Sequence, residues 1–175
     1  MTRLVVVLPL TPLRTGDSFL VPDWPPHITV LPPFLTDAPA AQISAAIAAA
    51  LSPANASTTA DQTAGHATGQ ATLTLTAGRD ELFGRHADIP VTVVVEDEAL
   101  TALHRRLLAA IRPFAAAPDE PAFTGPGFRA HVTVKRSGRV HEGDVLALTQ
   151  LAIVDMAPRA FTGGRAVLAT LPLPT

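Results

Sequence analysis

Two short stretches of the chain repeat one pattern, His27-Ile28-Thr29-Val30 and His131-Val132-Thr133-Val134. Each places an imidazole two residues from a hydroxyl. An unperturbed histidine titrates near pH 6.5, so two of them can divide a reaction that needs a base at one oxygen and an acid at another. Threonine hydroxyls can donate to the non-bridging oxygens of a phosphate and stabilise the charge that gathers there. This is the chemistry of phosphoester cleavage, with attack and departure both served by imidazoles. No metal or cofactor is expected. Two histidines alone make a poor ligand set, and the absence of cysteine excludes thiolate sites, a cysteine nucleophile and disulfides. By counting alone, two such tetrapeptides among six histidines arise by chance about once in a thousand.

The local pattern says how these groups are held. Side chains at i and i+2 of a strand share a face. His27 and Thr29 therefore point one way and Ile28 and Val30 the other. His131 and Thr133 are likewise backed by Val132 and Val134. Trp24-Pro25-Pro26 keeps the approach to His27 extended, because a residue before proline avoids the helical region. Residues 11 to 26 read as a polar loop, and His27 to Leu31 as the first motif strand. The second runs from Ala130 to Lys135. Leu4 to Leu8 is a continuous apolar run and reads as a buried strand. Further strands are expected over Ala71–Thr76, Pro90–Val95, Val145–Val154 and Ala166–Leu171.

Asp37 is expected to cap and start a helix with Ile43, Ile47 and Leu51 on one face. A second helix runs from Asp97 to Ile111, with Leu100, Leu103, Leu107, Leu108 and Ile111 as its apolar stripe. Residues 53 to 70 read as a weak edge strand or a loop, and 118 to 128 as a loop. About seven strands and two helices without simple alternation favour an antiparallel α+β fold.

Several residues near the motifs are candidates for substrate contact. Lys135, the only lysine, shares a strand face with His131 and Thr133 by period. Arg136 lies just beyond and can swing in. Trp24, Phe34 and Phe128 are candidates for stacking on a base. Arg129 and Arg139 are expected as surface charges and as candidates for a substrate phosphate. His104 is expected as a helix-flank residue, and His66, His86 and His141 as solvated loop residues. The chain of 175 residues is 47% hydrophobic and 16% charged, enough for one domain or two small lobes sharing a core. A net charge of −2 gives little bulk attraction to nucleic acid, which leans toward small substrates. The N-terminal apolar run is too short to span a bilayer. A soluble, cytoplasmic monomer with no membrane and no obligate protein partner is expected.

Pro25-Pro26-His27-Ile28-Thr29-Val30-Leu31-Pro32-Pro33-Phe34 resembles the first motif region of the two-histidine phosphoesterase superfamily. That group includes bacterial 2′,5′-RNA ligase-like proteins and RNA 2′,3′-cyclic phosphodiesterases. Arg129-Ala130-His131-Val132-Thr133-Val134-Lys135-Arg136 resembles its second motif, with valine after each threonine where leucine is common. Leu82-Phe83-Gly84 and the strand and helix that follow are similar to the segment between the motifs. The resemblance implies one bilobal α+β domain over residues 1–175. Two pseudo-symmetric lobes of antiparallel sheet plus helix would set the motif strands face to face across a central groove. It also implies that His27 and His131 exchange acid and base roles, and that Thr29 and Thr133 hold the phosphate. The implied activity is that of a phosphoric diester hydrolase, opening 2′,3′-cyclic phosphates or 2′,5′ linkages at an RNA terminus or in a small nucleotide, with ligation as the slow reverse. Two alternatives stand beside it: degradation of cyclic or 2′,5′-linked oligonucleotide signals, and a non-catalytic nucleotide- or RNA-binding module.

Overall fold

The computed structural model describes residues 1–52, 72–115, 123–159 and 162–174. The expected strand or loop over 53–70, the first part of the 118–128 loop and His66 lie outside them. Nine strands and two α-helices are present among the described residues. The strands are β1 (Thr2–Pro9), β2 (Ser18–Leu20), β3 (His27–Thr36), β4 (Leu73–Phe83), β5 (Ile89–Val94), β6 (His131–Thr133), β7 (Val145–Leu148), β8 (Gln150–Asp155) and β9 (Gly164–Pro172). The helices are α1 (Ala40–Leu51) and α2 (Glu98–Ile111). The sheet order is β2-β9-β8-β1-β3-β6-β5-β4-β7, antiparallel throughout. This is the antiparallel α+β architecture expected. The motif strands, expected face to face across a groove, instead lie side by side: β3 and β6 are hydrogen-bonded neighbours at the middle of one sheet.

Paired residues on neighbouring strands point to the same side of a sheet. One such row runs Leu8, Ile28, Val132, Thr92 across β1, β3, β6 and β5, all buried. It belongs to the main core, which α1 and α2 cover with Ile43, Ile47, Leu51, Leu100, Leu103, Leu107 and Ile111. The rows on either side therefore point away from the helices. A smaller cluster on that second face joins Val5, Val7, Leu13, Trp24, Ala152, Val154 and Val167. No helix among the described residues is long and apolar enough to cross a membrane.

Several boundaries differ from the sequence reading, each for a physical reason. β3 continues five residues past Leu31, through Pro32 and Pro33. The prolines fall where the β1–β3 register shifts, between the Val6–Leu31 and Leu4–Phe34 pairs, so no ladder bond is demanded of them. The helix expected from Asp37 starts at Ala40 instead. Pro39 forces Ala38 out of the helical region and itself takes the N-cap position, while Asp37 pairs with the N-terminal amine at 2.9 Å. The 11–26 loop contains β2 and a 3-10 turn at Val21–Asp23. The strand expected over Val145–Val154 breaks at Thr149 into β7, which pairs with β4, and β8, which pairs with β1. β4 runs past the expected end at Thr76 and reaches Phe83 through Arg79, Asp80 and Glu81. There Asp80 accepts from the Thr92 hydroxyl at 2.7 Å, and Glu81 is forked by Arg129.

The start of α2 is as expected. The Asp97 carboxylate accepts from the Leu100 amide at 2.9 Å. Asp97→Ala is expected to lower stability by about 1 kcal/mol, read from urea unfolding; an unchanged midpoint would show that this cap does not matter to the helix.

Candidate active site

The register of β3 on β6 builds the site. Ile28 lies opposite Val132 in an antiparallel pair. His27 therefore lies opposite Thr133, and Thr29 opposite His131, on the face away from the helices. Directly opposed side chains start about 5 Å apart and diagonal ones about 7–8 Å apart. Each histidine thus has a threonine across from it and another along its own strand. The two imidazoles occupy one diagonal of this four-residue patch and the hydroxyls the other. All four are half-buried, while Ile28, Val30 and Val132 behind them are closed off from solvent. Val134, expected as a fourth buried anchor, is only half-buried, because β6 ends at Thr133.

Each imidazole is oriented in the same way. His27 Nδ1 lies 2.8 Å from the Pro25 carbonyl, and His131 Nδ1 lies 2.8 Å from the Arg129 carbonyl. A carbonyl only accepts, so Nδ1 carries the proton in both rings. Each Nε2 is then the lone-pair nitrogen, chemically able to take up a proton. Each ring also rests against an aromatic side chain. His27 stacks on Trp24 at 4.0 Å, and His131 sits 4.7 Å from the Phe83 ring. Each of those aromatics carries a cation: Lys135 Nζ lies 4.7 Å from the Trp24 centroid, and Arg129 Cζ lies 4.9 Å from that of Phe83.

The sequence candidates sort clearly by position. Lys135 reaches the His27 side of the patch, where it bridges to Gly138 in a tight turn. That turn is tied to the first motif: the Ser137 hydroxyl donates to the Trp24 carbonyl at 2.9 Å, and a Cβ on Gly138 would meet Pro26 at 3.0 Å. Arg136 is exposed on the same turn. Trp24 and Phe34 are not open to a base. Trp24 is 5% exposed and walls His27, and Phe34 is 9% exposed in the main core. Burial of their large apolar area outweighs their closeness in sequence to the motif. Arg139 is engaged by Asp80 at 2.6 Å.

A cavity of about 250 Å³ opens beside Thr29 and His131, bounded also by Arg3, Pro32, Pro33, Phe123, Phe128 and Arg129. Phe128 and Arg129 thus line the space next to the patch. Arg3, Phe83, Glu81 and Arg165 were not anticipated. Arg165 lies over Trp24 at 5.6 Å, from β9 at the far side of the sheet. The one sequence signal for Phe83 was its place in the Leu82-Phe83-Gly84 segment; the others are brought in by pairings distant in sequence.

The surroundings depress the basicity of the site. Burial pushes the His27 imidazole down to about 4, and the nearby charges of Lys135, His131 and Arg165 act in the same direction, against the Pro25 carbonyl bond. Burial likewise lowers His131, with Arg129 adding to it. Burial and Arg165 bring the Lys135 ammonium down to about 8. Removing the cation in Lys135→Met is expected to raise the His27 pKa from about 4, while burial, the larger cause, keeps it below 6.5. An imidazole NMR titration reads this directly, and a downward or absent shift would show that Lys135 does not act on His27.

The family pattern described as the 2′-5′ RNA ligase superfamily matches residues 6–162, nearly the whole chain. The chain belongs to this superfamily. Its fold is similar to that of E. coli LigT in complex with 3′-AMP, at 15% identity, a TM-score of 0.54 and 99% coverage of each chain. A solved phosphoesterase is 16% identical with a TM-score of 0.56, each chain covered completely. TT0787 of Thermus thermophilus is 18% identical with a TM-score of 0.54, covering 98% of this chain and 97% of its own. At these identities the likeness is one of fold. No sequence among the curated proteins matches the chain.

Proposed function

We propose that this member of the superfamily is a phosphodiesterase that opens 2′,3′-cyclic phosphates or 2′,5′ linkages at RNA ends or in small nucleotides. The observation that carries the reading is the diagonal patch: two imidazoles whose Nδ1 atoms are committed to backbone carbonyls, which makes Nε2 the lone-pair nitrogen of each, alternating with two hydroxyls. With the phosphate over its centre, the neutral histidine takes a proton from water as the water oxygen bonds to phosphorus. The other, protonated, histidine gives its proton to the departing ribose oxygen. The Thr29 and Thr133 hydroxyls donate to the non-bridging oxygens as their charge grows. After one turnover the histidines have exchanged protonation states, and solvent restores them.

The cavity beside His131 supports a nucleoside on that side of the phosphate. Its walls of Pro32, Pro33, Phe123 and Phe128 suit a base, and Arg3 suits a second phosphate, which Arg129 could join only by giving up its pairing with Glu81. E. coli LigT, with the same fold, was solved with 3′-AMP, a phosphate on a ribose oxygen. The volume of the cavity and the net charge of −2 favour a mononucleotide, a chain end or a short cyclic or 2′,5′-linked signal over extended RNA. Turnover of cyclic mononucleotides, cyclic dinucleotides, 2′,5′-dinucleotides and cyclic-ended RNA, read by mass spectrometry, tests this. Release of a monophosphate ester from at least one supports the proposal. Tight binding without turnover of any would make the protein a binding module.

A further inference from the structure

His104 is the one histidine of the described residues that is fully buried, and the proton transfers above do not use it. It occupies a place on α2 among leucines, where the sequence suggested only a helix flank. Its Nδ1 lies 2.8 Å from the Val30 carbonyl, so it donates to the residue next to Thr29. Its Nε2 accepts from the Gly125 amide at 3.1 Å, at the start of the loop that leads to His131. Its ring lies on Phe128 at 4.0 Å and 4° from parallel. These partners are 74 and 21 residues away in sequence and belong to opposite sides of the patch.

The loop it grips needs holding. Phe128 and Arg129 line the site cavity, and they also line a second cavity of about 290 Å³ with Val93, Val94, Asp97, Leu100 and Thr101. They form a wall with open space on both sides. The same loop carries the Arg129 carbonyl that orients His131. His27 is oriented by the matching Pro25 carbonyl, but the segment that carries it is tied elsewhere, by Ser137 and by the Leu10 amide to the Pro26 carbonyl at 3.1 Å.

We infer that His104 is a positioning residue that fixes the 125–129 loop against the first motif strand, and so sets His131 and the Phe128 wall relative to Thr29. A buried polar ring is tolerated only when both nitrogens are paired, and here the pairing spans the two halves of the site. The inference rests on the function proposed above for its kinetic readout but not for its structural one.

Two variants separate positioning from plain packing. His104→Phe keeps a ring against Phe128 and loses both hydrogen bonds. His104→Gln can still donate to one partner and accept from the other. On the best substrate of the panel, the Phe variant is expected to lose about 10- to 100-fold in kcat while folded by circular dichroism, and the Gln variant to recover most of that loss. Wild-type kcat in the folded Phe variant would overturn the inference. In imidazole NMR of the Phe variant, the His131 Nδ1 proton should exchange faster while that of His27 is unchanged; equal changes in both would also overturn it. Should the Phe variant not fold, hydrogen exchange on the wild-type protein decides. Protection of the Gly125 amide comparable to β6 is required, and fast exchange refutes the clamp. If the wild type turns over nothing in the panel, the functional proposal fails, and the NMR and exchange results still judge His104.

Discussion

His131→Ala is expected to hydrolyse a 2′,3′-cyclic nucleotide about 10²–10⁴ times more slowly than the unaltered protein, and His27→Ala to do the same. Both rings are half-buried on the helix-free face, so their loss leaves the Leu8–Ile28–Val132–Thr92 row and the core beneath it in place. Far-ultraviolet circular dichroism should therefore be unchanged, whereas the near-ultraviolet signal of Trp24 should shift in His27→Ala, because that ring stacks on His27. Because in the proposed mechanism one histidine is useful only while the other holds the complementary proton, the two should act as a unit. The double variant should fall little below either single one, whereas independent contributions would multiply. Steady-state kcat with chromatographic separation of product is the measurement. Full activity in His131→Ala would rule out the two-histidine mechanism.

Thr133→Val and Thr29→Val are each expected to lower kcat by about 10²–10³. Valine keeps the branched Cβ that suits a strand, so β3 and β6 stay paired and the loss isolates the hydroxyl. The diagonal register makes a further demand. Thr133 lies across from His27 and Thr29 across from His131, so in the proposed mechanism the two hydroxyls reach the phosphate from opposite corners and neither replaces the other. The effect should appear in kcat as well as in kcat/KM, since the oxygens they serve gain charge only as the transition state forms. A variant that raised KM alone would show that the hydroxyls merely hold the substrate.

Much of this site was legible because it depends on local pattern. Alternation alone assigned His27, Thr29, His131 and Thr133 to a common side of their strands, and Ile28 and Val132 are buried behind them as that alternation requires. The Asp97 cap and the leucine stripe of α2 were equally local. What was hidden depends on pairing at a distance. His104 among leucines resembles any helix-flank histidine until the Val30 carbonyl and Gly125 amide are brought to it. Arg79-Asp80-Glu81 is too polar to read as strand until Thr92, Arg139 and Arg129 supply partners from elsewhere in the chain. Trp24 and Phe34 misled in the opposite sense. Their position beside the motif suggested contact with substrate, whereas their apolar area drew them inside.

The matched 2.8 Å bonds from each Nδ1 to a backbone carbonyl, together with the depressed basicity of both rings, bear on proton inventory. Both rings take up a second proton less readily than an ordinary imidazole, so near neutral pH the pair is biased toward bases. A mechanism that draws a proton from water at one corner and delivers one at the other must begin with a single extra proton between them, a condition best met on the acid side of neutrality. An arriving phosphate anion favours that same added proton by its charge. In the proposed mechanism substrate and proton are therefore linked ligands, each strengthening the hold on the other, so that the substrate itself arms the site.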